Sequence, residues 1–156
     1  MQNKELESAK RPLSHAELTD IIDLCLWAGQ MLLQQGANSL RVEESVHRLG
    51  TGLGCEWLDI VVRTESLTIT ASSGGEFRTK TRRVVRLGVN MWRITAVNDL
   101  SRHIAAGQID RFQARAELER IDAQPGEYNR WLIAVMVGLA CAAFSQLFGG
   151  DWPVLR

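Results

Sequence analysis

From Trp131 to Phe148 the chain reads WLIAVMVGLACAAFSQLF, eighteen residues without a charge. Such a segment is either a helix buried in a protein core or a helix in lipid. As a helix it rises about 27 Å, close to the roughly 30 Å hydrocarbon core of a bilayer. Tyr128, Trp131 and Trp152 stand near its two ends, where interfacial anchoring places aromatic rings. Ala134, Gly138 and Ala142 recur every four residues, a small-residue face that lets a neighbouring helix approach closely. Ser145 and Gln146 argue for a core helix instead. Arg111, Arg115, Arg120 and Arg130 precede the segment and Arg156 follows it, a bias that places the preceding residues in the cytoplasm. The segment is therefore read as a transmembrane helix over 131–148.

The rest of the chain is of a different kind. A mean hydropathy of -0.09 excludes a polytopic membrane protein of this length and leaves room for one span. Net charge is +0, so nothing draws the whole chain toward nucleic acid. Cys25, Cys55 and Cys141 are far apart and form no C-x-x-C, which argues against zinc and against a disulfide framework and for reduced cytosolic thiols. The opening MQNKELESAKRPL has no apolar core of a signal peptide and is expected to be a flexible tail over 1–13.

Ser14 and Glu17 have the spacing of a capping box, and Leu18, Ile21, Ile22, Cys25, Leu26, Leu32 and Leu33 make an apolar helical stripe behind it. Gly36 stops that helix, and Asn38 or Ser39 caps a second one with Val42, Val46, Leu49 and Leu53 on its stripe. The short link predicts a helical hairpin. The period then becomes two, with Leu58, Ile60 and Val62 followed by Leu67, Ile69 and Ala71. Ser73-Gly74-Gly75 turns the chain into a third strand over 76–85. Ile94, Val97, Leu100 and Ile104 restore helical spacing, Gly107 breaks it, and 110–121 makes a short charged helix. The fold class is α+β: a helical hairpin, a small antiparallel sheet and further helices, then one C-terminal transmembrane helix. The expected organisation is a tail over 1–13, a cytosolic domain over 14–124, a linker over 125–130, the span over 131–148 and a truncated loop over 149–156.

Arg78, Lys80, Arg82, Arg83 and Arg86 crowd one stretch with no acid among them. Alternation puts Arg78, Lys80 and Arg82 on one strand face, which can bind a carboxylate or anionic headgroups, or simply be a solvated face with edge-protecting charges. Arg78, Lys80, Arg82 and Arg83 are the anion-binding candidates. Nucleic acid is excluded as a partner, since the cluster lacks interleaved aromatics. Ser39, His47 and Asp59 are the residue types of a hydrolytic triad. Eight residues of helix, however, separate Ser39 from His47 by about 12 Å, and no G-x-S-x-G elbow is present. Glu43 and His47 share a face at i,i+4 without the third ligand a metal needs, and Glu44 and Arg48 have the spacing of an ion pair. No catalytic residue, cofactor or metal is assigned.

Two stretches, GQMLLQQGANSLRVEESVHRLGTGLG at 29–54 and RWLIAVMVGLACAAFSQLFGGDW at 130–152, flank GVNMWRITAVNDL at 88–100. Together they resemble the N-terminal part of the threonine/serine exporter family. The likeness is to its split form, whose pair in enteric bacteria is linked to succinate export. Gly29, Gly36, Ser39, Glu43, Trp131 and Gly138 are among the matching positions, with roles unknown. The resemblance implies a subunit or fragment of a bacterial inner-membrane exporter, its N-terminal domain in the cytoplasm and its substrate a small carboxylate or amino acid. It also implies a second small membrane subunit or further transmembrane helices as partners, with homo-oligomerisation as another arrangement. One helix cannot enclose a polar path, so transport by this chain alone is not expected. The alternatives are a soluble binding or regulatory module with a buried terminal helix, and a small amide or peptide hydrolase.

Overall fold

The computed structural model describes residues 11–85, 88–124 and 130–147. The chain divides into two compact units, Met1–Gln124 and Pro125–Arg156. The first holds helices α1 (His15–Gln34) and α2 (Ser39–Gly52), strands β1 (Trp57–Val62), β2 (Ser66–Ser73) and β3 (Glu76–Arg83), and helices α3 (Met91–Ala105) and α4 (Arg111–Ala123). The second holds α5 (Arg130–Leu147). The α+β reading and the antiparallel sheet are thus observed.

Each helix of the first unit begins at a side-chain cap. The Ser14 hydroxyl accepts from the Glu17 amide while the Glu17 carboxylate accepts from the Ser14 amide, the expected capping box. Asn38, not Ser39, caps α2 through the Arg41 amide. Asp110 and Gln113 form a second reciprocal box on α4. Gly36 ends α1 with φ 82°, a conformation that costs glycine no Cβ clash. The box at Ser14 also sets a pH response. Hydrogen bonds from the Ser14 backbone, then from its side chain, hold the Glu17 carboxyl below its ordinary 4.5. A depressed folded pKa contributes stability that is present above the ordinary value and is lost as pH falls through the folded one. Ser14→Ala is expected to cost about 1 kcal/mol near neutral pH and to remove the smaller, side-chain part of the pH response below 4.5, the backbone hydrogen bond remaining. Urea melts across that range check both.

The sheet runs β1-β2-β3, antiparallel throughout, with Leu58 opposite Ala71 and Ile69 opposite Lys80. Helices cover one face. α1 packs on β2 and β3, α2 on β1 and α1, α3 on α2, and α4 on α3 and α1. The core therefore gathers around α1, where Leu18, Ile21, Ile22, Leu24, Leu26, Ala28 and Leu32 are all buried. On the other face, Thr70 meets Thr79 at 2.8 Å and Thr68 meets Thr81 at 2.9 Å. Cys25 is buried, and desolvation, with Cys55 adding, pushes its thiol well above its ordinary range, so it stays protonated and unreactive.

Helix α5 carries exposed apolar side chains along its length, Trp131, Ile133, Val135, Met136, Leu139 and Phe144 among them. Among the described residues no helix is long and apolar enough to cross a membrane. The expected span over 131–148 ends on Phe148, which lies outside the described residues, as do Tyr128, Trp152 and the loop 149–156.

Candidate functional site

Alternation along β3 places Arg78, Lys80 and Arg82 on the face turned toward α1, in register with the buried Ala71, Ile69 and Leu67 of β2. Strand and helix then meet residue by residue. Arg78 contacts the His15 ring, Lys80 forks onto Asp23 at 2.7 and 2.9 Å, and Arg82 Nη1 donates to Gln30 Oε1 at 3.2 Å. His15, Asp23 and Gln30 lie seven or eight residues apart, two turns of helix, and so form one polar stripe on α1. Arg83 points to the opposite face, exposed, with Glu65 at 3.6 Å. The basic strand is thus not a solvated face. Arg78, Lys80 and Arg82 all contact α1.

Arg82 differs from Lys80. Among the described residues its partner is an amide rather than an acid. It lines a cleft of about 400 Å3 together with Trp27, Gln30, Gln34 and Arg115. The acids at the same cleft are engaged, Asp23 by Lys80 and Asp122 by Arg93 at 3.6 Å. Arg115 pairs with Asp20, which Arg111 also approaches at 3.7 Å. The cleft therefore offers a guanidinium, two amides and an indole, a donor set suited to a small carboxylate with an apolar stem. The sequence pointed to Arg82. It did not point to Trp27, Gln30 or Arg115, which come from two helices whose spacing against β3 is set only by packing.

A second cleft, about 430 Å3, opens between α2 and β1 and is lined by Glu43, Glu44, His47, Arg48 and Asp59. His47 and Asp59 do come together there, and Ser39 is not among its lining residues. No serine or cysteine lines it to act as nucleophile, so the geometry does not assemble the hydrolytic triad. No group of three His, Cys, Asp or Glu side chains could hold a metal among the described residues. Arg48 turns from Glu44 to α3, where its Nη2 donates to Asn98 Oδ1 at 2.7 Å. Three carboxylates left in the cleft make it unsuited to an anion.

The remaining motif positions divide by unit. Gly29 is buried where α1 crosses β2 and α2: a Cβ there would run into Leu67 Cδ2 and stand 3.2 Å from Val46 Cγ2. Gly36 is the α1 stop described above. On α5, Trp131 is exposed and Gly138 has open space around it.

Known proteins give this arrangement a family. The family described as "Putative threonine/serine exporter" matches residues 23–155. A Haemophilus influenzae protein named "Uncharacterized protein" is 31% identical over 143 residues, covering 91% of this chain and 47% of its own length. The Escherichia coli "Probable succinate transporter subunit YjjP" is 35% identical over 129 residues, 83% of this chain and 50% of that one. A Corynebacterium glutamicum "Threonine/serine exporter" is 22% identical over 143 residues, 90% of this chain and 29% of its own. The chain spans about half the length of the first of these relatives. No solved structure matches. With the family match running through the α+β unit and α5 alike, the chain belongs to the threonine/serine exporter family.

Proposed function

We propose that this chain supplies the cytoplasmic domain and the first membrane helix of a bacterial inner-membrane exporter of small amino or carboxylic acids, of the threonine, serine or succinate type. The observation that carries the reading is the single family match from Asp23 on α1 to Leu155, across the α+β unit and the charge-free segment together. The apolar side chains exposed along α5 support insertion, because a helix apolar on every side calls for an apolar surrounding. In this reading α5 belongs to the span over 131–148. Its small-residue positions Ala134, Gly138 and Ala142 then receive a partner helix, from a second small membrane subunit, from further helices, or from another copy. Those helices wall the path, since a polar substrate in hydrocarbon needs protein on all sides. The chain acts as a transport component and not as an enzyme. Disrupting its gene is expected to lower efflux of threonine, serine or succinate, and restoring the gene to recover it. Unchanged efflux of all three removes the proposal.

Within that reading the domain has a binding role, favoured by Arg82, the cleft cation whose partner is an amide. A charge-assisted hydrogen bond contributes about 1.5–3 kcal/mol, so Arg82→Glu is expected to weaken succinate binding by roughly tenfold or more. Calorimetry on the purified full chain measures this, with a thermal melt confirming the variant is folded. Unaltered affinity in a folded variant would leave Arg82 a packing residue.

A further inference from the structure

The sheet face turned away from the helices stays open at both of its edges. Trp57 is 54% and Val61 44% exposed on β1, and Phe77 is 75% exposed on β3. Strand register sorts this face into four rows. The first is Trp57, Ser72 and Phe77, two aromatic rings with a serine between them. The second and third hold the threonine pairs, beside Asp59 and Val61 of β1. Pairing continues one residue past β1, where the Arg63 amide donates to the Ser66 carbonyl at 2.8 Å. Alternation therefore makes the fourth row Arg63, Ser66 and Arg83, two guanidinium groups with a serine between them. Glu65 stands 3.6 Å from Arg83, but both side chains are largely exposed, and such a pair holds the guanidinium only weakly. The two ends of the face thus share one outline, with rings at one and cations at the other.

We propose that this face is an interface between two copies of the chain, stacked sheet on sheet with the rows reversed. Stacked sheets stand about 10 Å apart with their strands within about 30° of one another. A closed pair has a two-fold axis, which can lie between the sheets in two ways. An axis along the strands sets each row on its own copy. Arg63 then faces the partner's Arg83, and this like-charge contact occurs twice. An axis across the strands reverses the rows instead. Trp57 then faces the partner's Arg63 and Phe77 the partner's Arg83, ring against guanidinium, and each contact again occurs twice. Serine falls opposite serine at the ends, and threonine opposite threonine in the middle. Asp59 lies one row from the partner's Arg63, a diagonal neighbour of opposite charge. The face is complementary to its own reverse, which selects a second copy over an unrelated protein. Three strands span about 14 Å, and seven residues along them about 24 Å. With side-chain relief, two such faces bury on the order of 1,000 Å2, the lower end of specific interfaces, so the pair is expected to be reversible. This pairing does not depend on where α5 lies.

The test is disulfide trapping of the full chain in mild detergent. Cys25 and Cys55 are buried and Cys141 is exposed, so a Cys141→Ser background carries no exposed thiol. Thr68→Cys and Thr70→Cys are made separately in it, one of them tagged, then mixed and oxidised. Reversed rows set position 68 over position 70 of the partner, so the mixed disulfide is expected to form faster than either like-with-like product. Arg83→Glu is expected to lower the mixed yield about tenfold, since it removes two ring contacts at once. The exchange Phe77→Arg/Arg83→Phe rebuilds both contacts and is expected to restore the yield. Both side chains are exposed, so these variants keep the fold. Faster like-with-like products overturn the reversed stacking. A yield that Arg83→Glu leaves unchanged, or that the exchange fails to restore, overturns the ring–guanidinium match and the interface with it. No disulfide, with both cysteines open to maleimide, leaves the face to solvent and overturns the pairing. No disulfide with both closed to maleimide makes the occupant something other than a second copy, and overturns it too.

Discussion

Replacing Asn98 with alanine is expected to lower the unfolding free energy by about 2–3 kcal/mol, because it strips a half-buried guanidinium of its best acceptor. Asn98 Oδ1 accepts from Arg48 Nη2 at 2.7 Å and from the buried Ser45 hydroxyl at 3.2 Å, across the α2–α3 seam. Arg48 Nε is itself buried with no partner among the described residues. Without Asn98, Nη2 keeps among the described residues only Ser45 at 3.4 Å, a long contact for a charged donor. The cost comes from the charge left behind and not from the lost side chain, which the double variant Arg48→Met/Asn98→Leu separates. Removing both partners should recover most of the loss, since an apolar seam has no charge to desolvate. Urea unfolding of the full chain in mild detergent measures the three variants. A double variant as unstable as Asn98→Ala would show that shape, not charge, holds the seam.

That trio marks the limit of what the sequence discloses. The periods of α1, α2, the strands and α3 show which positions turn inward, and Val42, Val46, Leu49, Ile94, Val97, Leu100 and Ile104 are all buried as the spacing requires. Period alone does not say what lies across from a face. Arg48 was spaced for Glu44 on its own helix and instead meets Asn98, fifty residues on. Lys80 and Arg82 share a face as alternation demands, yet their partners Asp23 and Gln30 stand 57 and 52 residues away on α1. The central place of α1 was hidden for a related reason. Its stripe from Leu18 to Leu33 suggested one buried side, whereas Leu24, Ala28 and Met31 are buried too, because the sheet, α2, α3 and α4 surround it. In α5 the helix was legible but a face was not, since apolar residues on all sides leave no period to read.

Gly29→Leu is expected to cost roughly 3 kcal/mol or more, through overpacking at the point where three elements cross. Gly29 is buried on α1, and any Cβ there would meet the Leu67 side chain of β2, with Val46 of α2 at 3.2 Å. Leu67 and Val46 are fully buried, so neither has a free rotamer to retreat into. Either the sheet shifts from α1, loosening the strap of Asp23 to Lys80 and Gln30 to Arg82, or the helix hairpin opens. Gly29→Ala is the finer probe. Alanine gains about 1 kcal/mol over glycine in a helix interior, so a net loss with this variant isolates the clash. The clash also predicts a coupling. Leu67→Ala on its own should cost about 2–5 kcal/mol by leaving a cavity, and less in the Gly29→Ala background, where the added methyl group occupies part of that space. Urea melts of the two single variants and the pair complete the cycle. Additive losses would mean that the methyl group and Leu67 do not compete. The family-matching glycine would then serve something other than the close approach of α1 to the sheet.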